Sequence, residues 1–84
     1  MKCVVVAASF SGDARDHLRR LGAKPQRTII ATPTNAHALE GLRGDAIETF
    51  WDIRRPGAYL GHLDDCIARM VAHYPEMDYR VASW

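Results

Sequence analysis

The chain has 84 residues, 48% hydrophobic and 25% charged, with a formal net charge of +1. That length suits one domain, residues 1–84, in which roughly 60% of the unfolded surface becomes buried, and the composition excludes both a disordered tail and a membrane protein. No apolar run approaches the roughly 20 residues that span a bilayer, and the short apolar start "MKCVVVAASF" is expected to be a first strand and not a leader.

The two cysteines, Cys3 and Cys66, fall far apart in the sequence, in a predicted strand and a predicted helix. Free thiols of this kind fit a reducing, cytoplasmic setting better than a disulfide framework does. Charge is uneven: residues 1–30 carry six Lys/Arg against two Asp, and residues 31–84 carry five Arg against eight Asp/Glu. Such asymmetry steers acidic partners or nucleic acid, or favours self-association, although two solvated helix faces of opposite sign give the same count.

In chain order, "KCVVVAAS" has the β-branched run of a strand buried on both faces. "SGDARDHLRRLG" switches period, with Ala14, Leu18 and Leu21 on one stripe of a helix. Ser11 or Asp13 can cap that helix, Arg19 and Arg20 suit its negative end, and Gly22 can end it. "RTIIAT" is a second buried strand, and "TNAHALEGLRG" predicts a short helix from a Thr34 or Asn35 cap to a Gly44 stop. "AIETFWDI" is a third strand, with Ile47, Thr49 and Trp51 on one face and Glu48, Phe50 and Asp52 on the other. From Ala58 to Tyr74 a broad stripe of Tyr59, Leu63, Cys66, Ile67, Met70, Val71 and Tyr74 predicts a long helix, which Pro75 ends. "DYRVASW" can supply a fourth, short edge strand or fray at the terminus.

This alternation predicts a miniature Rossmann-like three-layer α/β domain, a mainly parallel sheet of three to four strands with about three helices. Ligands in such sheets bind beyond the carboxyl ends of the strands. There the chain gathers Ser9, Ser11, Thr32, Thr34, Asn35, Asp52, Arg54 and Arg55, a set able to hold a small anionic ligand or nucleotide. No G-x-x-x-x-G-K-[ST] loop and no G-x-G-x-x-G after a strand accompanies them. Ser, Thr and Asn are also ordinary helix caps. Asp52 near Arg54 and Arg55 fits a salt bridge as readily as acid–base chemistry.

His62, Asp65 and Cys66 cluster on one predicted helix, but a closed zinc site needs four ligands, so no metal is expected. Cys3 as a nucleophile would need a base such as His17 or His37 beside it. The basic segment "ARDHLRRLGAKPQR" can touch phosphates but has no interleaved aromatics for base stacking, so any nucleic-acid contact would be unspecific. A sheet with so few helices leaves apolar groups near the carboxyl terminus, where Trp51, Tyr79 and Trp84 are the expected contacts of a homodimer.

"VVVAAS", "TIIATPTNAHALEGLRGD" and "IETFWD" together resemble the strand, TP-x-N helix and L-x-G-L-x-G strand approach of small proteins of actinobacterial phages. Those proteins are similar to a stripped-down P-loop ATPase core of helicases and large terminases. The resemblance covers about residues 2 to 54 and implies a scaffold without its catalysis: the phosphate-binding loop is missing, and Asp52 is followed by Ile53 where the ATPase pattern has an acidic pair. It implies a phage accessory protein in the host cytoplasm. The expectation is therefore a non-enzymatic interaction module, needing no cofactor and acting on itself or a host protein, with anion or nucleotide binding as the alternative.

Overall fold

The computed structural model describes residues 2–24, 27–55 and 57–82. Strands β1 (Cys3–Ala7), β2 (Thr28–Ala31), β3 (Ile47–Asp52) and β4 (Tyr79–Val81) form one all-parallel sheet in the order β2-β1-β3-β4. Helix α1 (Ser11–Leu21) joins β1 to β2, and α2 (His62–His73) joins β3 to β4. The result is a small Rossmann-like three-layer α/β domain, as the alternation of elements predicts.

The central strand explains the layering. Val5, Val6 and Ala7 are wholly buried, and alternate residues serve opposite faces. Val4 and Val6 meet Ala14 and Leu18 of α1, with Ile30, Trp51 and Ile53 beside them. Val5 and Ala7 meet Phe50, Leu60, Leu63, Cys66, Ile67 and Met70, together with Ala36 and Leu39 of the β2–β3 connection. The β1–β2 connection thus crosses one face leftward and the later ones cross the other face rightward, as right-handed crossovers require.

Helix α1 ends as expected: Gly22 takes φ 70°, and the amide of Ala23 donates to the Leu18 carbonyl at 3.2 Å. Its start differs. Phe10 occupies the cap position in an extended conformation with no side-chain cap, and Leu21 is exposed instead of completing the stripe.

The helix expected between Thr34 and Gly44 is replaced by two short 3₁₀ turns, Ala36–Leu39 and Gly44–Ala46. Gly41 sits between them at φ 76°, a left-handed position that interrupts helical winding. Asn35 flanks the first turn but does not cap it. Helix α2 begins at His62, four residues later than the stripe suggests, because Gly57 and Gly61 both adopt positive φ and hold the approach uncoiled. Tyr59 consequently lies outside the helix and is 83% exposed, and Val71 also leaves the core; Leu63, Cys66, Ile67 and Met70 form the buried stripe.

β3 contains a further departure. Cys3 pairs with Ile47 but Val4 pairs with Thr49, so Glu48 is an extra, bulged residue. Ile47 therefore packs with Phe50 on the α2 face, not with Thr49 and Trp51, while Glu48 is exposed. Gly44, buried just upstream, lies so close to Tyr74 that a Cβ there would run into the aromatic ring.

Candidate functional site

The chain runs from β1 outward to β2 and then back across to β3, so the order reverses between β1 and β3. The crevice above that reversal is where doubly wound sheets hold ligands. The eight residues expected at this edge do lie at or beyond the strand ends, but they divide into two groups.

The first group closes on itself. Asp52, the last residue of β3, is only 3% exposed. Its Oδ1 accepts from Arg54 Nε at 3.0 Å, and its Oδ2 accepts from Arg54 NH2 at 2.8 Å and from the Tyr79 hydroxyl at 2.6 Å. Arg54 also donates to Asp64 Oδ1, and Asp64 Oδ2 accepts the Leu60 amide at 2.8 Å. Asp64 thus ties the first turn of α2 to the end of β3.

Burial pushes the Asp52 carboxyl up, but the hydrogen bonds from Arg54 and Tyr79 and the adjacent guanidinium outweigh it and hold the group below its ordinary range. Burial and the Asp52 carboxylate raise the Tyr79 hydroxyl, and the hydrogen bond to Asp52 leads the causes that raise Arg54. Asp52 is therefore a fixed carboxylate and Arg54 a fixed cation.

Arg55 completes this closure from the other side. Its Nε and NH2 each donate to the Asp13 carboxylate at 3.2 Å, and its guanidinium carbon lies 5.6 Å from the centre of the Phe10 ring. The bridge joins the end of β3 to the first turn of α1 across the β1/β3 reversal. Asp13 supplies a carboxylate at the helix N-terminus, where a bound anion would otherwise sit.

The second group lines an open cleft of about 540 Å³ beyond β1 and β2, formed by Ser9, Phe10, Ser11, Arg15, Ile30, Thr32, Pro33, Thr34 and Asn35. Here the elbow mostly turns the chain. The Asn35 amide nitrogen donates to the Ile30 carbonyl at 3.0 Å, its backbone N–H donates to Thr32 at 2.9 Å, and the two threonine hydroxyls lie 3.2 Å apart. Ser9 Oγ is buried without a partner among the described residues. Arg15, one turn into α1, joins this wall; its basic helix carried it in the sequence, but nothing in the local pattern linked it to the elbow.

Of the expected interface residues, Tyr79 is half-buried through its bond to Asp52 and its contact with Phe50, ring centres 5.7 Å apart. Trp51 lies on the opposite face between His17, at 4.7 Å, and the Arg80 guanidinium, at 5.4 Å. Trp84 lies outside the described residues. Val81, 69% exposed on the outermost strand, was not singled out by the sequence. His17 and Cys3 serve opposite faces of the sheet, so His17 does not activate Cys3, whose thiol burial pushes up. His62 Nε2 lies 3.5 Å from Cys66 Sγ and 3.7 Å from Glu40. No trio of such groups is arranged for a metal ion among the described residues.

Compared with known protein families, curated proteins and solved structures, the chain finds no match. The likeness to phage proteins and to an ATPase core thus rests on the quoted motifs alone.

Proposed function

We propose that this protein is a non-enzymatic interaction module, a scaffold of the kind a phage accessory protein uses to engage itself or a host protein. One observation carries the reading: the β1/β3 crevice is occupied by the protein's own Asp13–Arg55 and Asp52–Arg54–Asp64 ion pairs. Groups held in reciprocal pairs are poor candidates for moving protons or receiving a phosphate. Phosphoryl transfer needs a free cation and a metal-binding carboxylate at that position. One charged surface open to partners is the basic outer side of α1, where Arg15, Arg19 and Arg20 are exposed. Contacts of that type with nucleic acid would follow charge, not base sequence.

The unpartnered Ser9 Oγ in the β1/β2 cleft favours a second reading, a small anionic ligand held by Ser9, Ser11, Thr34 and Arg15. A thermal-shift screen with inorganic phosphate, nucleotides and dicarboxylates separates the two. A ligand at 100 times its dissociation constant adds roughly 2.7 kcal/mol of stability. The interaction module requires no ligand-dependent shift and no ATP or GTP turnover. A saturable shift abolished by Arg15→Ala moves the function to the cleft, and turnover that survives repurification but not Asp52→Ala overturns the non-enzymatic reading.

A further inference from the structure

The two edges of the sheet differ in their backbone. In β4, the Phe50 amide donates to the Asp78 carbonyl at 2.8 Å and the Ala82 amide donates to the Asp52 carbonyl at 3.1 Å. Residues 78, 80 and 82 thus direct their backbone groups towards β3, and the strand alternation directs those of Tyr79 and Val81 outward. The outward groups of Tyr79 and Val81 have no partner among the described residues.

We infer that β4 pairs antiparallel with β4 of a second copy, about a two-fold axis through Tyr79, making one continuous eight-stranded sheet. This deepens the interaction-module reading and rests on it. Charge selects the register. Only registers that set outward residues opposite outward residues form an antiparallel ladder. An axis through Arg80 would place Arg80 against the partner's Arg80 on one face, an unfavourable like-charge pair. An axis through Asp78 would oppose two carboxylates in the same way.

An axis through Tyr79 instead sets Arg80 opposite the partner's Asp78, twice by symmetry. Both groups already lie together on one face: Arg80 Nε donates to Asp78 Oδ1 of its own chain at 3.1 Å, and both side chains are about half exposed. The same register sets exposed Val81 opposite the partner's Met77. Shifting the axis to Val81 would leave Arg80 opposite Ala82, with no charge partner. The axis through Tyr79 is therefore the register that satisfies charge and apolar contact, pairing the outward Tyr79 groups with those of the partner and directing the Val81 amide at the partner's Met77 carbonyl, while the Met77 amide keeps its own bond to the Tyr74 carbonyl at 3.0 Å.

The test combines light scattering with backbone amide exchange on the intact chain. The wild-type protein should be dimeric at tens of micromolar, and protection of the Tyr79 and Val81 amides should rise with concentration while that of Arg80 stays constant. Arg80→Asp and Asp78→Arg should each weaken the dimer by at least about tenfold, since two attractive cross-strand pairs become repulsive. The double swap should restore it, and circular dichroism confirms that each variant is folded. A monomeric wild type at that concentration overturns the inference, as does a dimer indifferent to both single substitutions or a folded double swap that stays monomeric. The indifferent dimer leaves self-interaction standing with another contact, whereas the ligand screen tests the module reading separately.

Discussion

The two faces of the sheet are covered by different amounts of protein. Behind one lie α2, the 3₁₀ connection and the segment before α2, which together bury Phe50, Leu60 and Leu63 completely. Over the other lies α1 alone, packed near β1 and β2, so that Trp51 on β3 is covered by a histidine ring and an arginine in place of an apolar layer. Neighbouring residues of one strand, Phe50 and Trp51, therefore have opposite energetic standing although both are large aromatics. Size alone does not locate a core; the connection that crosses above the residue does.

The comparison can be broken most forcefully at Phe50. Phe50→Ala should lower the unfolding free energy by about 3–5 kcal/mol, measured by urea titration. Small domains have only about 5–15 kcal/mol in total, so this variant should be visibly unfolded in part. Leu63→Ala, on the helix above it, should cost about 2–5 kcal/mol; a change within error would mean that the α2 face is not the main core.

Next comes the ion network at the end of the same face. Asp52→Asn should cost about 3 kcal/mol, because it leaves Arg54 partly buried beside a neutral group. Its pH signature has a defined sign. The folded-state carboxyl is held below its ordinary value, so the stabilisation is complete above the ordinary carboxylate range and is lost as pH falls through it. The wild-type acid limb should flatten in Asp52→Asn. Tyr79 is shifted the other way: its contribution is intact below about pH 10 and is lost as pH rises above that, so Tyr79→Phe should flatten the alkaline limb.

Gly44→Ala should cost about 1–3 kcal/mol in the same titration, by forcing the Tyr74 ring aside. The smallest effect belongs to the thin face, where Trp51→Ala should cost about 1 kcal/mol. A loss equal to that of Phe50→Ala would show that the α1 face is packed as tightly as its opposite.

The succession of strands and helices along the chain follows from patterns that are local and strong. The Val4–Val6 run, the Thr28–Ala31 run and the period switch into α1 are legible in sequence because a strand or helix imposes them within a few residues. So is the Gly22 stop. The Asp52–Arg54 pair was also accessible, being two residues apart on one turn of chain.

What was not legible depends on distance or on backbone conformation. The bonds from Tyr79 to Asp52 and from Arg55 to Asp13 join residues 27 and 42 positions apart, brought together only by the crossovers. Arg55 was expected near Asp52, yet the chain turns it towards α1. Tyr59 fitted the helical period but precedes Gly61, whose positive φ no periodicity reveals. The Glu48 bulge likewise reverses the side of Ile47 without altering composition. At the candidate site, the residues were foreseeable from the rule that ligands bind at strand ends, whereas their division into a closed and an open group required the fold.

The hydrogen bond from the Asn35 side chain to Ile30 has a consequence for growth. Ile30 belongs to the outer edge strand β2, and the Ala8 amide bonds the neighbouring Ala31 carbonyl on the β1 side, so the Ile30 carbonyl is directed outward. Asn35 covers that acceptor. If β4 pairs with its symmetry mate, both ends of the eight-stranded sheet are β2 edges bearing this cover. Association is then self-terminating: a two-fold contact consumes the same β4 edge of both copies, and each remaining β2 edge has its Ile30 acceptor covered, where a second receptive edge would allow open-ended stacking into fibres.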